Sequence, residues 1–148
     1  MVCSANDKGT FRTKTLAEKI EDIFKYADGL KLDVGTDLMR RSDERRQVYR
    51  VRVERKAYPL YRLSELAIKA KLETANNSAQ IPNSLHDELT LIGVYCSLAY
   101  CWVDQKFTGE EDANAEIGGY FKLITECLEK IRQLNRSPEG AKGCRPKL

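Results

Sequence analysis

Few residues in this chain are of the types that most often do nucleophilic or metal chemistry: it has one histidine and five cysteines among 148 residues. A Cys–His pair built on His86 and Cys96 fails on distance, because ten positions along one predicted helix place them roughly 15 Å apart. Cys127 falls among the apolar positions of another predicted helix, where a cysteine behaves as a small hydrophobe. Cys3, Cys96, Cys101, Cys127 and Cys144 form an odd set without C-x-x-C spacing. That argues against a disulfide framework, and a lone histidine leaves too few ligands for a zinc site. For His86 itself an exposed or capping place at a helix start is the simpler reading. Glu110, Glu111, Asp112 and Glu116 offer oxygen ligands, yet their spacing is not that of a calcium loop, and carboxylates at a helix start already suit the helix dipole. No phosphate-cradling glycine loop, nucleophile elbow or H-E-x-x-H occurs. The sequence therefore predicts a protein that is not an enzyme, with no catalytic residues, no metal and no cofactor.

What stands out instead is charge. The stretch "RRSDERRQVYRVRVERK", residues 40–56, holds eight basic and three acidic residues, while the rest of the chain holds 17 and 19. Tyr49, Tyr58 and Tyr61 interleave with Arg45, Arg46, Arg50, Arg52, Arg55, Lys56 and Arg62. Phosphate-neutralising cations beside stacking rings are what a surface that follows a nucleic-acid backbone uses. A solvated helix face explains the charge too, and core packing explains Tyr95, Tyr100 and Trp102 as well as base stacking does. On a helical wheel Arg46 and Arg50 fall near the apolar side, which suits a boundary with a neighbouring subunit.

These residues need elements to hold them. Thr15 and Glu18 are spaced as a capping box ahead of Leu16, Ile20, Ile23 and Ala27, predicting a first helix that Gly29 stops. Residues 50–54 alternate as a strand would, but a lone strand has no partner. Tyr49, Val53, Ala57, Leu60, Leu63 and Ala67 continue one helical stripe, so a long second helix is expected, kinked or restarted at Pro59. "NNSAQIPNS" reads as a loop. Ser84 is placed to cap a third helix, whose two stripes, Leu89, Ile92, Cys96, Ala99, Val103 and Leu91, Tyr95, Leu98, Trp102, predict burial on most sides. Thr108 and Glu111 suggest a capping box for a fourth helix carrying Ile117, Phe121, Ile124, Leu128 and Ile131. Gly118 and Gly119 either delay its start or allow a close helix contact.

The expected fold is all-α: one four-helix-bundle domain over residues 1–136 and a flexible basic tail over 137–148. The apolar run over residues 89–103 is too short for a bilayer crossing, and the first residues lack the apolar core of a signal peptide. A cytoplasmic protein that does not enter a membrane is expected.

An arginine-rich lead into a long helix, then "PLYRLSELAIKAK", a polar loop, an apolar third helix and an amphipathic fourth, resembles a group of small four-helix-bundle proteins. That group holds the accessory variability protein of diversity-generating retroelements and the rRNA intervening-sequence proteins. The resemblance covers roughly residues 40–136 and is one of layout, without a diagnostic motif. It implies a basic, ring-forming homo-oligomer, association with nucleic acid and a protein partner such as a reverse transcriptase. The first expectation is thus sequence-independent binding of DNA or RNA through Arg45, Arg46, Arg50, Arg52, Arg55 and Lys56, with Tyr49 stacking. The alternative is an adaptor whose basic helix docks on an acidic protein.

Overall fold

The computed structural model describes residues 14–32, 38–76 and 83–136. It contains α1 (Leu16–Leu30), α2 (Arg46–Ala57), α3 (Pro59–Asn76), α4 (Asn83–Gln105) and α5 (Ala113–Arg136). Strands are absent from the described residues. Since α2 and α3 are the halves of one bent helix, the architecture is the expected all-α four-helix fold.

Each helix follows from local chemistry. At the start of α1 the capping box forms: the Glu18 N–H donates to the Thr15 hydroxyl at 3.2 Å, and the Thr15 N–H donates to the Glu18 carboxylate at 2.9 Å. Gly29 is not the stop. The helix runs through it to Leu30, and Lys31 takes the left-handed conformation with φ 55°.

Alternation over residues 50–54 is accidental, since Val53 is buried while Val51 is 43% exposed, as a helical period requires. The stripe Tyr49, Val53, Ala57, Leu60, Leu63, Ala67 and Ala70 is buried throughout. Pro59 has no N–H to donate, so the ladder is interrupted there and α3 restarts with proline in its first position. Tyr58 stays right-handed helical at φ −60° and ψ −39°, so the chain bends without looping out.

α4 starts at Asn83, which puts Ser84 inside the first turn rather than at the cap. Its face of Leu89, Ile92, Cys96, Ala99 and Val103 is buried. The second stripe is not: Leu91, Tyr95 and Trp102 are half-buried and Leu98 is 47% exposed. One face of this helix remains open because the bundle supplies neighbours only along the other.

The start of α5 is also displaced from the expected place. Asp112 is the capping residue, its carboxylate accepting from the N–H groups of Asn114 at 3.0 Å and Ala115 at 3.2 Å. Glu111 instead folds back on Thr108, accepting from its N–H at 2.8 Å and from its hydroxyl. Gly118 and Gly119 lie inside α5. A side chain at Gly118 would meet only Asn114 of the same helix, and one at Gly119 would meet nothing. Neither glycine marks a helix start or a helix crossing.

α3 packs on α1 and α4, and α4 on α5. These pairs run antiparallel, as Lys19 to Glu73 (3.1 Å), Tyr58 and Tyr61 against Tyr100, and Tyr95 against Tyr120 show. Arg132 of α5 ties to α1 through Asp28 at 3.1 Å and lies over the Phe24 ring. α2 rests on α3 and α4. The expected tail, most of the connection ahead of residue 40 and the loop at 77–82 lie outside the described residues.

Candidate nucleic-acid interface

Position along α2 decides what each basic residue can do. Tyr49, Val53 and Ala57 fix the inward side, so Arg52 and Lys56 fall on one flank, Arg50 on the other, and Arg55 outward. Arg45 precedes the helix as its N-terminal flanking residue, without a side-chain cap.

Three of the seven expected contact residues are engaged in the fold. Tyr49 is fully buried. Its hydroxyl accepts from the Ala113 N–H at 2.9 Å and donates to the Leu38 carbonyl, and its ring meets Phe107 edge-on at 5.5 Å. Burial raises its pKa despite that backbone hydrogen bond. A ring with no exposed face cannot stack on a base, and the expected stacking role of Tyr49 is corrected on that ground. Arg52 forms a two-pronged pair with Glu44, at 2.9 Å from Nε and 2.7 Å from Nη2, and Nη2 also donates to the Met39 carbonyl at 2.7 Å. These hydrogen bonds, with the Arg41 N–H behind them, hold the Glu44 carboxyl at about 2. Lys56 reaches back to the Leu30 carbonyl at 3.1 Å, closing the C-terminal end of α1. Arg52 and Lys56 therefore staple the chain ahead of α2 to the bundle.

Arg45, Arg46, Arg50 and Arg55 are the exposed members. Arg46 sits 3.7 Å from Glu110, both well exposed, and exposed Arg50 is 3.0 Å from the half-buried Glu54 one turn along the same helix. Such surface pairs contribute ~0–1 kcal/mol and yield readily to a competing anion. Arg45 and Arg55 have no ion pair among the described residues. Arg46 is also where the α4–α5 loop closes on α2. Gly109 adopts φ +103°, and a side chain there would come within 2.6 Å of the Arg46 Cγ and 2.7 Å of its carbonyl oxygen.

The acidic residues of that loop are occupied with local work, Glu111 with Thr108 and Asp112 with the helix start. Among the described residues no three potential metal ligands converge. Cys96 and Cys127 are buried, and burial, with the hydrogen bond to Glu88 second for Cys127, pushes both thiols up to about 12. A thiol held protonated is a poor nucleophile. His86 lies half-buried beside Asp87 at 3.8 Å.

Sequence reasoning missed two residues of this surface. Val48 is 56% exposed, and with Val51 it lines an open groove of about 710 Å³ whose other walls include Arg41, Arg55 and Lys56. The signal was present: on a helical wheel both valines lie opposite Val53 and Ala57. No protein-family model, no curated protein and no solved structure matches the chain.

Proposed function

We propose that this protein is a non-enzymatic, nucleic-acid-associated helical bundle that follows a phosphate backbone through Arg45, Arg46, Arg50 and Arg55. One observation carries the reading: Arg45, Arg46, Arg50 and Arg55 are exposed at the start of or along one short helix, Arg45 and Arg55 without an ion pair among the described residues and Arg46 held only by the exposed Glu110. Arg52 and Lys56 contribute field but are committed to the fold. Recognition is by charge and is indifferent to base sequence.

The test is fluorescence anisotropy with short DNA and RNA strands over a salt series. Four neutralised phosphates give a slope of log affinity against log salt of about −3 to −4, and Arg50→Ala lowers its magnitude by about one unit. Arg46→Glu with Arg50→Glu weakens binding further. Absence of binding at low salt, or an unchanged slope in the double variant, defeats the proposal and leaves the adaptor reading.

Self-association needs a new basis. Arg46 and Arg50, the residues expected at a subunit boundary, have carboxylate partners in Glu110 and Glu54 of the same chain. What supports a homo-oligomer is the open α3–α4 seam, where Ile68, Leu72, Val94 and Leu98 are exposed. Sedimentation at micromolar concentration showing only a 16.9 kDa species removes this part of the proposal. A reverse-transcriptase partner rests on the resemblance alone, with no feature of the fold behind it.

A further inference from the structure

The groove on the outer side of α2 has a character that phosphate binding does not explain. Val48 and Val51 are one helical turn apart and both large parts of them face solvent. The lining they share with Arg41, Arg52, Arg55 and Lys56 is mostly carbon, because the long basic side chains lay their aliphatic stems along the groove. Four cations thus surround an apolar floor. The single carboxylate in the groove, Glu44, is only 5% exposed and is covered by Arg52, so it does not oppose an incoming anion.

A phosphate backbone gains nothing over such a floor: valine offers it no donor, and covering apolar carbon with a phosphate strips water from the phosphate without replacing its hydrogen bonds. An α-helix with an apolar stripe flanked by carboxylates fits both parts. Its stripe covers Val48 and Val51, and its glutamates and aspartates reach the arginines and lysine at the rim. The length is also right for a helix, since twelve residues of α2 extend roughly 18 Å, about three turns of a partner lying alongside.

We propose that this groove is a docking site for an acidic amphipathic helix of another protein, with Val48 and Val51 as the apolar contact and Arg41, Arg55 and Lys56 as the charge-complementary rim. The groove shares Arg55 with the proposed phosphate surface, but its apolar floor lies away from Arg46 and Arg50, which do not line it. Affinity comes from the covered valines, and orientation and encounter rate from the rim.

The experiment uses the full chain and two synthetic 18-residue peptides of identical composition. In one, leucines recur at helical spacing among glutamates; in the other, the same residues are shuffled so that no apolar stripe forms. The patterned peptide should bind at least tenfold more tightly than the shuffled one. Val48→Ser with Val51→Ser, which leaves charge unchanged at two exposed sites, should erase that preference while leaving the affinity for a DNA strand within twofold. Arg46→Glu with Arg50→Glu should do the reverse. Equal binding of the two peptides, or a preference that survives the double serine variant, overturns the proposal, because attraction is then charge alone. So does a self-associated species that the serine variant dissociates, which would make a second copy the occupant. Should the variant misfold, the patterned-against-shuffled comparison on the unaltered chain decides by itself.

Discussion

Replacing Tyr49 by Phe deletes one oxygen atom and leaves the ring, so its effect isolates the hydroxyl. That hydroxyl joins three separate parts of the chain: the α2 helix that carries it, Leu38 in the preceding segment, and Ala113 at the first position of α5. Both partners are buried, Ala113 fully and Leu38 at 1% exposure, so neither can turn to water when the hydroxyl goes. An unsatisfied buried donor or acceptor costs ~1–3 kcal/mol, and part of the loss is recovered where a neighbour shifts. Two such groups give an expected destabilisation of about 2–4 kcal/mol, or roughly 5–15 °C in melting temperature for a domain of this size. Urea denaturation followed by helical circular dichroism measures it. Nucleic-acid binding, assayed where the variant is still folded, should be unchanged. A loss below ~0.5 kcal/mol would refute the assignment of Tyr49 as a structural junction, since phenylalanine would substitute without cost for a tyrosine that merely stacks.

Gly109→Ala forces a side chain into a left-handed backbone and against the Arg46 carbonyl, and should cost about 3 kcal/mol in the same denaturation assay. Glu44 has its carboxyl lowered from 4.5 to about 2, chiefly by the Arg52 hydrogen bonds, so its contribution to stability is complete above about 4.5 and is lost as pH falls toward 2. The stability gap between the native protein and Glu44→Gln should accordingly narrow across that window and stay constant above it. Thiol labelling at pH 8, mapped by mass spectrometry, should modify exposed Cys101 quickly and buried Cys96 and Cys127 only at the rate of unfolding; rapid native-state labelling of Cys127 would contradict its buried placement.

Periodicity made most of the fold legible. The stripe from Tyr49 to Ala67 identified the long second helix despite its local alternation, and Pro59 located the bend, because a missing N–H is a property of the residue itself. Helix ends were harder to place. Thr108 and Glu111 have the spacing of a capping box but form a closed turn, and Asp112, one step further on, caps the helix; the choice depends on how the loop packs on Arg46, which no local window contains. In the sequence the site is a run of charge, and tertiary contacts divide that run. A wheel separates Arg52 from Arg50, but only the placement of Glu44 reveals that Arg52 is occupied. Tyr49 illustrates the same limit, since its position on the apolar stripe was visible while the partners that fix its hydroxyl lie 11 and 64 residues away.

The Glu44–Arg52 fork has a consequence for how this sequence is free to drift. Lysine carries the same charge as arginine but lacks the planar pair of donors that meets both carboxylate oxygens and still reaches the Met39 carbonyl, so Arg52→Lys is not a neutral step. Change at either position leaves the other stranded, and the two should be inherited as a pair, while Arg45 and Arg55 are held only by whatever they bind. Among diverging descendants of this chain, correlated replacement at 44 and 52 would mark ancestry of the fold, and independent retention at 45 and 55 would mark selection on the surface.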